Sequence, residues 1–192
     1  KLYRFEFRAR GSISGGCVIS GPDFANRDYH ALSGDWKWYG HVFRAPDKTD
    51  GAYLRIGLWE ATGTVQFDAV KLAPVIPVHA QTGDLVLGEG EVIRDGKYLF
   101  HGMFGGEGSN YHRLLDSATA GFNSDRWCFG GGTQVTYKFE VPGAKFTTGQ
   151  VGLDVNYHTG GACAIEASAD GRQWRTIATR AALGSAEASL PA

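Results

Sequence analysis

Long apolar runs are missing from this 192-residue chain. No stretch reaches the ~18 consecutive apolar residues that a membrane-spanning helix needs, so insertion in a membrane by that route is not expected. An excess of one charge is missing as well. Nineteen Lys and Arg stand against twenty Asp and Glu, a net charge of −1, which argues against nucleic acid or an anionic membrane as the main partner. The three cysteines, Cys17, Cys128 and Cys163, match no zinc-binding spacing. Two readings of them stay open: one disulfide, Cys128–Cys163, with Cys17 free, or three buried thiols acting as small apolar residues. Catalytic and nucleotide signatures are equally scarce. No G-x-S-x-G elbow, no H-x-x-x-H and no G-x-x-x-x-G-K-S/T occurs, and GEGEV carries the wrong charge to cradle a phosphate. The chain also lacks an initiator Met and a secretion signal. It opens at Lys1 already inside a strand-like pattern, which leads to the expectation of a processed, truncated or incompletely observed protein.

What is present is glycine, aromatic residues and strand periodicity. The 28 glycines are about twice the number expected at the usual ~7% share. They are scattered without a period, which excludes collagen and implies many turns and bulges. In LYRFEFRA, residues Tyr3, Phe5, Phe7 and Ala9 alternate with Arg4, Glu6 and Arg8, the period of a strand with one buried face. VTYKFEV repeats the pattern with Val135, Tyr137, Phe139 and Val141 inward, and VGLDVNY does so with Val151, Leu153, Val155 and Tyr157. ACAIEASADGRQWRTIA reads as two strands joined at Asp170-Gly171. A short helical turn is admitted only around 111–117 or 180–188.

The segment APVIPVHAQ, with two prolines and no alternation, marks a linker over 75–81. The expected architecture is therefore all-β: two antiparallel β-sandwich units, 1–74 and 82–192. A jelly roll of about eight strands at ~5–6 residues each needs more chain than either unit has. The first unit is expected to lack N-terminal strands and the second a C-terminal one. Open edges of this kind pair readily with other chains.

The first unit resembles carbohydrate-binding modules of the family 4/9 type, which have a galactose-binding-like jelly-roll fold. The matching residues are YRFEFRAR (3–10), the W-x-x-Y-x-x-x-F pattern of Trp36, Tyr39 and Phe43, the strand AYLRIGLW, and the closing VQFDAVKL. Such modules end in F/I-D-D-V-x-L, so Ala69 stands where a second acidic residue is usual. The resemblance implies a core position for Trp36, with Trp38 following it inward as a weaker ligand candidate, and a structural calcium ion held in part by Asp68. The second unit is similar, more loosely, to discoidin-like sandwiches through CAIEASADGRQWRTIA, whose S-x-D-G-x-x-W run describes a hairpin and a core Trp.

Candidate site residues follow from chemistry. Sugar rings present C–H faces that stack on Trp and Tyr, and hydroxyls that take directed hydrogen bonds. In AYLRIGLW, Ala52, Leu54, Ile56 and Leu58 share one face, expected to be the core side, which leaves Tyr53, Arg55 and Trp59 as a displayed row. A second group, Tyr111 and His112 beside the glycine-rich GGEGSNYHR with Asn156 and His158 outward on VGLDVNYH, is expected to line a groove. Glu89 and Glu91 alternate on one face as calcium candidates. Together with the resemblance, these residues lead to the expectation of a non-catalytic polysaccharide-binding protein, extracellular or at the cell surface, as part of a larger chain. A structural subunit completed by neighbouring strands is the alternative, and a fragment of a glycoside hydrolase or polysaccharide lyase the third reading.

Overall fold

A computed structural model describes residues 1–190. It is all-β: 55% of the residues are in strands, and no helix is present among the described residues. The two spans where a helical turn was admitted instead hold parts of the strands Leu115–Ala118, Arg175–Arg180 and Gly184–Ser189. The chain divides into two compact units, Lys1–Phe139 and Glu140–Ala192. The expected linker at 75–81 lies inside the first of them, because chain beyond it returns to the first sheet.

That sheet is organised by β1 (Leu2–Pro22), a strand of 21 residues. One edge of β1 pairs antiparallel with β4 (Leu54–Pro74) from Tyr3↔Pro74 to Pro22↔Leu54. Along its other edge, β3 (Lys37–Arg44) covers Leu2–Ala9 and β2 (Ala25–Tyr29) covers Val18–Ser20. Beyond the expected linker, the strand Gly121–Asn123 pairs in parallel with β2, and Val42 donates to the Glu107 carbonyl at 2.7 Å. These long-range bonds draw the chain beyond 81 into the first unit.

The period-2 pattern of β1 is realised as read. Phe5, Phe7 and Ala9 are buried and join Ala25, Phe43 and Phe122 in the core. Tyr39 stacks on Phe7 at 5.8 Å, and Tyr29 meets the Phe7 ring edge-on at 6.0 Å. His41 is fully buried among Phe5 and Phe43 and donates from Nε2 to the Ala25 carbonyl at 3.0 Å. Burial disfavours its charged form and pushes its pKa down to about 4.

Between these two covered stretches no third strand pairs with β1, and β1 and β4 run as a two-stranded ribbon. A Cβ at Gly11 would lie 2.1 Å from the Thr64 carbonyl oxygen, and one at Gly63 would lie 2.2 Å from that of Ser12. Only glycine permits so close a crossing. Nearer the chain start, the register slips by one residue between Glu6 and Arg8. The inserted residue is Ala69, held in the left-handed region at φ 51° while its N–H donates to Asp68 Oδ1 at 2.8 Å. A bulge there bends β4 and re-aims the side chains around it.

In the second unit, Gln150–Val155 pairs antiparallel with Gly184–Ser189, and Cys163–Ala167 with Arg175–Arg180. The hairpin at Asp170-Gly171 is present. Asp170 Oδ1 accepts from the N–H groups of Arg172 and Gln173, and these bonds lower its pKa. Trp174, expected in the core, is 48% exposed, and no described residue of this unit is fully buried. All three cysteines are free, and only Cys17 is buried.

Candidate functional site

Because alternate residues of a strand face opposite sides, the register that buries Phe5 and Phe7 sets Arg4, Glu6, Arg8 and Arg10 together on the other face. Across β3, Arg8 is opposite Trp38 and Glu6 opposite Gly40. Across β4, Glu6 is opposite Lys71, Arg8 opposite Asp68 and Arg10 opposite Gln66. The result is a polar face with tryptophan on it. Trp38 is 60% exposed, and the guanidinium groups of Arg8 and Arg10 lie 5.3 and 4.9 Å from the Trp36 ring centroid.

Trp36 and Trp38 thus differ from the expectation that they turn inward. The odd residues Tyr39, His41 and Phe43 of β3 oppose Phe7, Phe5 and Tyr3 and fill the core. That leaves the even position, Trp38, to the polar face, and Trp36 ahead of the strand.

A cleft of about 360 Å³ opens at one side of this face, lined by Arg4, Glu6, Arg27, Tyr39, Trp38 and Glu107 among others. Its charged groups are held in place. Arg4 donates to Glu6 at 2.8 Å and to Glu107 at 3.1 Å, and these bonds raise its pKa, that with Glu107 most. Arg27 donates to the carbonyls of Gly105 and Gly106 at 2.5 and 2.6 Å. Arg44 and Asn110 exchange two further bonds, from the Arg44 N–H at 2.8 Å and back to the Arg44 carbonyl at 3.2 Å. The glycine-rich 105–110 loop is thereby fastened along the outer edge of β3.

At the start of β4 the two aromatic residues of the expected row are exposed, and Arg55 between them is half-buried. Tyr53 and Trp59 are 55% and 53% exposed, and Arg55 lies 5.9 and 6.0 Å from their ring centroids. Its opposite face, however, is not the core. Leu54 and Leu58 are 47% and 41% exposed, Ala52 is exposed, and Ile56 alone packs on the core. Here β4 is an edge strand with little layered against it.

The remaining candidates scatter. His112 is buried between Phe100 and Phe104 at 5.5 and 5.3 Å, so it lines no groove, and burial lowers its pKa. Tyr111 is half-buried next to it. Asn156 and His158 follow the strand Gln150–Val155 in the second unit. Asn156 is exposed, and His158 donates to the Gly161 carbonyl at 3.1 Å.

The acids named for calcium do not converge. Among the described residues no three His, Cys, Asp or Glu side chains form a group that would hold a metal ion. Glu91 is engaged by Arg113 through two hydrogen bonds, by Tyr98 Oη at 2.5 Å and by the Gly88 N–H at 2.7 Å. Burial opposes its ionisation, but these donors outweigh burial and hold its pKa below the ordinary carboxylate value. Glu89 is packed against Gly106 and Gly108, where added Cβ atoms would lie 2.5 and 3.0 Å from its carboxylate oxygens. Asp68 lies 3.9 Å from Arg8 and caps the bulge. Glu91 thus forms a structural ion pair with Arg113.

Arg10, Arg27 and Glu107 were not singled out from the sequence, and Trp36 was expected in the core. The outward alternation of β1 pointed to the polar face, whereas Arg27 and Glu107 reach it through tertiary contacts that no local pattern encodes. Comparison of the chain with family models, curated proteins and solved structures finds no significant match.

Proposed function

We propose that the first unit is a non-catalytic polysaccharide-binding module, and that sugar binds on the polar face of β1, β3 and β4. The observation that carries this reading is Trp38. It is 60% exposed on a sheet beside a cleft whose arginines and carboxylates are already fixed. An indole on a rigid strand supplies a stacking surface at low entropic cost, and the fixed polar groups give orientation. Tyr53, Arg55 and Trp59 form a second aromatic patch for a longer chain. The two carboxylates of the cleft, Glu6 and Glu107, both accept from Arg4, and no hydrolytic role is assigned to them. The resemblance to family 4/9 modules favours the same reading, in a secreted or cell-surface setting.

Pull-down on a panel of insoluble and gel-embedded polysaccharides tests the proposal, alongside a reducing-sugar release assay. Retention of the protein on at least one polymer, without sugar release, is the expected result. Absence of retention on every polymer overturns the reading, and sugar release replaces it with an enzyme.

One observation favours a second reading, a subunit that shares strands with other chains: among the described strands, β4 pairs with β1 alone, between Leu54 and Pro74. Against it, Glu60 and Ala69 have positive φ and break the outer edge, a common guard against edge pairing. Light scattering that shows a monomer at high concentration excludes this second reading.

A further inference from the structure

We infer that the sugar polymer taken by this face is acidic, carrying carboxylate or sulfate groups, and that Arg10 is the residue that reads the charge. The inference rests on the polysaccharide reading above and adds the ligand's chemistry to it.

The chain as a whole has a net charge of −1, yet this face carries more cations than carboxylates. Arg4, Arg8 and Arg10 alternate along one side of β1 with Lys71 across from them, against Glu6 and Asp68 on the same face and Glu107 at the cleft. The carboxylates are spent unevenly. Arg4 takes Glu6 and Glu107 at 2.8 and 3.1 Å, and Lys71 also approaches Glu6 at 3.6 Å. Arg8 reaches Asp68 only at 3.9 Å. Arg10 forms no ion pair among the described residues. Its Nε donates to Gln66 Oε1 at 2.6 Å, and its guanidinium rests over Trp36 at 4.9 Å.

That arrangement prepares a guanidinium for an anion. The Gln66 bond and the Trp36 ring hold the exposed side chain in one pose and lower the entropy lost when a ligand binds. A carboxylate or sulfate matches the fork of the two terminal nitrogens, and a charge-assisted pair there is stronger than the bond a neutral hydroxyl makes. Trp38, opposite Arg8, offers the ring face for the same sugar. A neutral glycan would use the indole too, but would offer Arg10 only hydroxyls and no charge-assisted pair.

Affinity electrophoresis of the whole chain tests this. Gels containing polygalacturonate (carboxylate), dextran sulfate (sulfate), or the neutral polymers xylan and dextran are run at low and high NaCl, with single-stranded RNA as a soluble competitor. Stronger retardation in a polyanionic gel than in its neutral counterpart, by about tenfold and weakened by salt, is expected. The gel that retards more tells carboxylate from sulfate. Arg10→Gln should cut the acidic affinity about fivefold, and Asp68→Asn should raise it by freeing Arg8. Melting curves confirm that both variants fold.

Equal retardation by neutral and acidic polymers, lost in Trp38→Ala, overturns the charge inference and leaves the polysaccharide reading standing. No retardation in any gel overturns both. Displacement by RNA at lower concentration than by soluble acidic polymer assigns the face to nucleic acid and overturns the inference too.

Discussion

The two faces of β1 use the same seven-residue alternation for opposite purposes. On one, Phe5, Phe7 and Ala9 pack with Phe43, Ala25 and Phe122 into the best-buried part of the molecule. On the other, Arg4, Glu6, Arg8 and Arg10 stay at the surface under a network of ion pairs and tryptophan contacts. The comparison separates stability from recognition within one strand. Removing a side chain from the first face should cost folding, and removing one from the second should cost binding.

The largest effect is expected at Phe7, which is fully buried. Phe7→Ala should lower unfolding free energy by about 3–5 kcal/mol, measured by urea denaturation of the first unit's signal. A smaller loss would mean that the core is looser than its packing implies. The buried histidines of the core side come next. His41 has a pKa near 4 when folded, against 6.5 as its ordinary value, and His112 is lowered in the same direction. The unfolded state therefore binds more protons, so the stabilisation is complete above pH 6.5 and is lost as pH falls toward 4. The slope is about 1.4 kcal/mol per pH unit for His41, up to about 3 kcal/mol in all. Denaturation midpoints from pH 7.5 to 4.5 check it, and a flat profile would show that His41 is not the neutral core residue described.

On the polar face the order reverses. Trp38→Ala should leave stability within about 0.5 kcal/mol while weakening sugar binding about tenfold or more. Trp59→Ala, at the second aromatic patch, should weaken binding to long polymers about twofold and leave short oligosaccharides unaffected. The smallest effect belongs to the bulge. Ala69 sits at φ 51°, a region that costs an L-residue roughly 1 kcal/mol. Ala69→Gly should raise the melting temperature slightly, by up to about 1 kcal/mol of stability, without altering the binding face.

Much of this was legible in the sequence. The alternation of LYRFEFRA fixes both faces of β1, and the run through Asp170-Gly171 fixes its hairpin, since each depends only on local periodicity and turn chemistry. Tyr53, Arg55 and Trp59 were recognised as a row because three alternate residues of one strand must share a face. The partner face of that row was misjudged. Whether Leu54 and Leu58 are covered depends on what lies above β4, and nothing local encodes that. Trp36 and Trp38 went the same way: the parity of β3 is set by its pairing with β1, a tertiary register invisible in the motif. His112 and Glu91, expected as ligand groups, lie buried, because a polar residue bound for burial looks, in sequence, like one bound for the surface. The second unit shows the converse, with clear alternation in VGLDV yet no fully buried residue among those described.

The most direct measurement is an NMR titration of the ¹⁵N-labelled chain with an oligosaccharide cut from the most strongly retained polymer. The account predicts amide shifts concentrated at residues 4–10, 36–42 and 66–71, with little change elsewhere. Shifts concentrated at 53–59, or confined to residues beyond 140, would contradict the assignment of the polar face as the binding surface.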